Sequence, residues 1–217
     1  MTKEFDGLNP CGYFDRILCI NLDSHTDRWE QAQAEFEKMG IAHRVERFSA
    51  IEDPEDPERG CYRSHVACAN WAMEEDLDNV LIFEDDIKVL DTSEMAGVIH
   101  ELSQTDWRLF YMGGYPSQRR VNIPTGARDF SKHLCQLRGG YLCGHAYAVH
   151  RSLFPAYCVA TQPIDRWYAY KVQPKSLCLV AKKMIVGQQD GFSELRGKYR
   201  RRSFMSGWHK KMIRKAK

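Results

Sequence analysis

In the stretch "NVLIFEDDI", Asn79 to Ile87, four apolar residues run unbroken into three carboxylates. A short run rich in β-branched and aromatic side chains reads as a central strand covered on both faces. The same signature appears near the start of the chain at "RILCINL", Arg16 to Leu22, where the turn "DSHTDR" follows it. Trp29, Ala32, Phe36 and Met39 then recur at helical spacing as far as Gly40, with Asp27 and Glu30 spaced as a capping box. His43 to Phe48 predicts a second strand, and strand, helix and strand in this order make a βαβ unit with a parallel sheet.

The acidic, proline-bearing "EDPEDPERG", Glu52 to Gly60, predicts a loop. Cys61 to Glu75 reads as a helix and Leu77 to Phe83 as the strand that ends in carboxylates. Met95, Val98, Ile99 and Leu102 mark a further helix, "RLFYMGG" a strand, and residues 115–131 a long polar surface loop. Beyond them, "GHAYAVHR" predicts a strand entering a helix, "PIDRWYAY" a helix start with Asp165 near its cap, and "SLCLV" and "KMIV" two more strands. The expected organisation is one α/β domain over residues 1–195, a Rossmann-like sheet flanked by helices, with a tail over residues 196–217.

Charge sharpens that division. Residues 196–217 carry ten Lys or Arg and no acidic group, whereas the first 195 hold 21 basic and 29 acidic residues. Within the tail, Phe204, Trp208 and Met212 recur at i, i+4 and i+8, which predicts a helix with one apolar face among basic residues, suited to an anionic membrane surface. Overall, 217 residues with 43% hydrophobic and 28% charged content describe an ordinary globular protein. No secretory signal and no bilayer-length apolar run is present, so the expected location is the cytoplasm, with the tail bringing the protein to the inner membrane face. The eight cysteines have no C-x-x-C spacing and read as reduced packing residues.

Three adjacent carboxylates repel one another and raise each other's pKa, so they either lie in water on an acidic turn or share a cation. Mg²⁺ or Mn²⁺, which prefers oxygen ligands shared with phosphates, is the cation such a set would hold. Three stretches occur in order: "INLDSHTDRW", "GCYRSHVACANWA" and "VLIFEDDI". Together they resemble glycosyltransferase family 25, the family of lipooligosaccharide and collagen galactosyltransferases, through Asn21, Leu22, Asp27 and Arg28, then Gly60, Cys61, Ser64, His65 and Ala72, then Glu84, Asp85 and Asp86.

The resemblance implies a nucleotide-sugar fold of the GT-A type and an inverting transfer of a sugar, galactose above all, from a UDP-sugar to a glycan, lipooligosaccharide or protein-linked hydroxyl. It implies Mn²⁺ or Mg²⁺ held by Glu84, Asp85 and Asp86, and a donor site drawing on Asn21, Arg28, Ala50, Ser64, His65 and Gln188. Asp165 is the candidate base for the acceptor hydroxyl and Asp190 the runner-up, while His145 is a candidate to line the sugar or complete the metal shell. The other readings open at this point are a catalytically silent nucleotide-sugar or glycan-binding module and a metal-dependent phosphodiesterase; nucleic acid is not an expected partner.

Overall fold

A computed structural model describes residues 10–118, 124–157, 163–193, 197–202 and 204–216. In chain order the first half gives β1 (Arg16–Asn21), α1 (Thr26–Lys38), β2 (Val45–Ser49), α2 (Pro57–Glu74), β3 (Asn79–Glu84), β4 (Ile87–Val89), α3 (Met95–Ser103) and β5 (Leu109–Tyr111). There follow β6 (Tyr115–Pro116), β7 (Gly126–Asp129), β8 (Leu134–Gly139), β9 (Tyr141–Leu142), β10 (Ala146–His150), α4 (Phe154–Tyr157) and α5 (Ile164–Trp167). The remainder is β11 (Cys178–Ala181), β12 (Val186–Gln188), β13 (Gly191–Ser193), β14 (Lys198–Arg200) and α6 (Phe204–Ala216).

Eight strands form one mixed sheet in the order β2-β1-β3-β10-β5-β11-β8-β7. The β2-β1-β3 side is parallel, as the βαβ reading requires, whereas β10 runs antiparallel to both β3 and β5. Period-two alternation sends Ile17, Cys19, Leu81 and Phe83 to one face, where Phe36 of α1 and Val98 and Ile99 of α3 cover them. Leu18, Ile20, Val80 and Ile82 go to the other, under Cys68, Ala69 and Ala72 of α2, Tyr157 of α4 and Met212 of α6. Val80 to Phe83 are wholly buried, each contributing about 1.5–3 kcal/mol through apolar burial. The mixed α/β class is as expected.

Several local expectations are corrected. α1 begins at Thr26 with His25 at its N-cap and no side-chain cap bond, so Asp27 lies in the first turn and makes no capping box. α2 starts four residues before the expected Cys61: Asp56 Oδ1 accepts the Arg59 N–H at 3.1 Å and Pro57 supplies a preset first turn, so the end of the acidic stretch is helix. The 115–131 loop contains β6 and β7, and of "KMIV" only Val186 enters a strand. Residues 119–123 of that loop, and Cys158, lie outside the described residues. The other seven cysteines are free, and all but Cys61 are buried.

The tail folds onto the domain. α6 buries Met205, His209 and Met212 rather than presenting Met212 outward with Phe204 and Trp208. The Tyr141 hydroxyl lies 2.8 Å from His209 Nδ1, and Nε2 lies 3.0 Å from the Lys182 carbonyl. Phe204 and Trp208 pack edge-on against Tyr115 instead. The helix is amphipathic as expected, but its buried stripe is rotated by one residue.

Candidate functional site

The parallel strands β1, β2 and β3 end together, and the ends of all three border one cleft of about 310 Å³. Asn21 closes β1, Ala50 follows β2, and Glu84 closes β3 with Asp85 and Asp86 in the turn to β4. From the side, β12 pairs antiparallel with β4 and sets Gln188 opposite Ile87, next to Asp86. Arg28 of α1 and Ser64 and His65 of α2 add to the lining, so every expected binding and acidic-motif residue borders this space.

The three carboxylates are not equivalent. Asp85 is buried and turned to the α1 side, where Arg28 donates to Oδ1 and Asn21 Nδ2 donates to Oδ2 at 2.6 Å. Burial still raises its pKa, against the pull of Arg28 and Asn21. Asn21 also donates to the His25 carbonyl and accepts two N–H groups from Arg47, which uses all four of its hydrogen-bonding positions within the protein. Glu84 and Asp86 instead turn to the cleft and share one donor, Gln188 Nε2, at 3.3 Å and 3.1 Å. Burial, reinforced by the neighbouring Glu84 charge, pushes the Asp86 carboxyl up to about 7. Burial raises Glu84 too, but the hydrogen bond to His65 and the surrounding positive field, Arg202 included, together hold the group below its ordinary value. Two carboxylates leaning on a single amide form an oxygen donor set matched to a hard divalent cation.

Ser64 is wholly buried: its hydroxyl accepts the Ile51 N–H at 2.8 Å and donates to the Gly60 carbonyl at 2.9 Å, tying the 50–56 segment to α2. A Cβ on Gly60 would approach the Ile51 oxygen to 2.7 Å, so a glycine lets the segment lie against the helix. His65, also wholly buried, sets Nδ1 2.9 Å from the Tyr147 hydroxyl and Nε2 3.3 Å from Glu84 Oε1. His145 is buried beneath the site, with Nε2 3.2 Å from the Val186 carbonyl and no partner for Nδ1 among the described residues.

Neither candidate base is among the residues that line the main cleft. Asp165, in the first turn of α5, has its carboxyl raised by burial, with Glu84 and Glu58 among the charges it feels. Asp190 is exposed on an adjoining pocket and accepts the Arg202 backbone N–H at 2.5 Å. Arg202 lines both that pocket and the main cleft and lowers the Glu84 pKa, a role hidden in the sequence because it is one of ten basic residues in the tail. Cys61, which reads as a packing residue, also lines the cleft, within reach of His65 and Glu84. Its place in the second motif, four residues before His65 on one helical face, signals this in the sequence.

Residues 55–114, from just before α2 to just after β5, match the family described as glycosyltransferase family 25 (LPS biosynthesis protein). The match contains the second and third motifs, with Cys61, Ser64, His65 and the three carboxylates, and supports a glycosyltransferase. Among solved structures, a glycosyltransferase involved in the glycosylation of the major capsid of PBCV-1 aligns at 11% identity over 76% of this chain and 80% of that chain, with a TM-score of 0.45. The mannose-1-phosphate geranyltransferase from Thermus thermophilus aligns at 12% identity over 81% of this chain and 61% of that chain, with a TM-score of 0.42. None of the curated proteins is a significant sequence match to the chain.

Proposed function

We propose that the protein is an inverting, metal-dependent glycosyltransferase of the GT-A type that moves a sugar, galactose above all, from a UDP-sugar to a glycan or lipid-linked hydroxyl. The observation that carries this reading is the pair Glu84 and Asp86, turned into the cleft at the end of a buried parallel strand inside the segment that matches the family. Glu84 and Asp86 would hold Mn²⁺ or Mg²⁺, which when bound neutralises the diphosphate leaving group. Asp85 and Asn21 act by position: their network holds the β3–β4 turn and aims Arg28 along the cleft. Arg28 and Arg202 supply positive charge on the walls where a diphosphate would lie.

Asp165 is the base. Its carboxylate takes the proton of the acceptor hydroxyl as that oxygen bonds to the anomeric carbon from the face opposite the departing UDP, so configuration inverts and the carboxyl is left protonated. A carboxyl raised by burial holds a proton better than an ordinary aspartate, as this step requires. No described helix is long and apolar enough to cross a membrane. The exposed residues Lys210, Lys211, Arg214 and Lys215 of α6 suit contact with an anionic bilayer that carries the acceptor.

Incubation with UDP-galactose and Mn²⁺ tests the reading. Release of UDP that depends on the cation, and a product of inverted anomeric configuration by NMR, are expected. Retention of configuration, or undiminished release in chelator, would overturn it.

A further inference from the structure

Cys61 and His65 stand one turn apart on α2 and face Glu84 at the end of β3, and their donor atoms, Sγ, a ring nitrogen and a carboxylate oxygen, all lie within 4.8 Å of one another. We propose that these three residues form a site for a thiophilic divalent cation, Zn²⁺, with a fourth position open to the cleft. This site differs in chemistry from the oxygen-only pair Glu84 and Asp86 and does not rest on the transferase reading.

Three features favour zinc. One thiolate, one imidazole and one carboxylate are all ordinary zinc ligands, whereas Mg²⁺ and Mn²⁺ favour oxygen. Bonds of about 2.0–2.3 Å in tetrahedral geometry put neighbouring donors roughly 3.3–3.8 Å apart; His65 Nε2 and Glu84 Oε1 are already 3.3 Å apart, and small side-chain rotations close the rest. The far ring nitrogen, Nδ1, is paired with the Tyr147 hydroxyl at 2.9 Å, the outer partner that orients a ligating imidazole.

The surroundings keep the donors clear. A Cβ at Gly144 would sit 3.1 Å from Glu84 Oε1 and 3.5 Å from His65 Nε2, so the glycine leaves space beside both atoms. Because Glu84 belongs to both sets, zinc bound here draws it from Asp86 and Gln188, and the two cations compete for one carboxylate.

Titration of the reduced, metal-stripped full chain with Co²⁺, a spectroscopic stand-in for Zn²⁺, tests the proposal. One equivalent should bind with a near-ultraviolet thiolate-to-metal charge-transfer band, and Zn²⁺ should displace it. Cys61→Ser should abolish the band, Glu84→Gln should weaken binding at least tenfold, and Cys68→Ser, two turns further along α2, should change neither. Each variant's far-UV spectrum establishes that it is folded, and if Cys61→Ser does not fold, His65→Gln decides the matter, because the oxygen pair Glu84 and Asp86 does not use His65: it should weaken binding at least tenfold, and unchanged affinity would overturn the site. Binding without the band, a band that survives Cys61→Ser, or an affinity unchanged in Glu84→Gln would overturn the site. None of these readouts uses donor or acceptor, so they stand whatever the outcome of the UDP-release assay.

Discussion

At the scale of single residues, the site holds charge in states the fold itself disfavours. Asp86 titrates near 7 in place of the ordinary 3.8, so its folded form resists ionisation, and the stability it allows at low pH is lost as pH rises through about 7. Asp86→Asn is therefore expected to raise the Tm of the metal-free protein at pH 8, by an increment that shrinks as pH falls below 7, while abolishing transfer. Thermal scans across pH beside an activity assay check both halves. Asp165→Asn should lower kcat on the order of 10²–10⁴-fold with donor KM nearly unchanged, because the lost interaction belongs to the transition state; normal turnover would move the role to Asp190. Asn21→Ala leaves Asp85 short of a donor in a buried position and should cost about 1–3 kcal/mol by chemical denaturation. The carboxylates were legible in the sequence because an apolar strand ending in like charges needs an explanation. The division of labour among them was not, since it depends on Arg28 and Gln188, which are 57 and 102 residues away from their carboxylate partners Asp85 and Asp86.

At the scale of elements, α2 shows how a correct motif can sit in a misread segment. "EDPEDPERG" has the composition of a loop, yet Asp56 before Pro57 is also a cap before a first helical turn, and the tertiary approach of the Ile51 carbonyl to Gly60 selects the helix. Asp56→Ala should destabilise the protein by about 1 kcal/mol, read from the denaturation midpoint. It should also loosen the cleft wall that Ser64 ties down, so the donor KM rises more than kcat falls. Strands β1 and β3 were readable from their apolar runs alone. The phase of α6 was not: its period is right, but His209 counts as polar in a sequence pattern and becomes a core residue once Tyr141 and Lys182 satisfy both ring nitrogens.

At the scale of the whole molecule, α6 is bound to the domain through a neutral, buried imidazole. Burial holds the His209 pKa below the ordinary 6.5, so the stability it contributes is present above that value and lost as pH falls through the lower folded one. His145 acts in the same direction for the same reason. The stability these histidines contribute is expected to fall between pH 7.5 and 5.5, against the opposite trend of Asp86, so the Tm of His209→Gln should rise relative to that of the parent protein as pH falls; equal slopes for the two proteins would show that other groups govern the dependence. The order of strands carries a further consequence, for the route by which the chain folds. β3 is completed on one side by β1 but on the other by β10, whose sequence lies more than 60 residues downstream. While β10 is undocked, "VLIF" is an open edge, a template for another copy of itself. Refolding yield should therefore fall as protein concentration rises, and a synthetic peptide of the β10 sequence added during refolding should restore it.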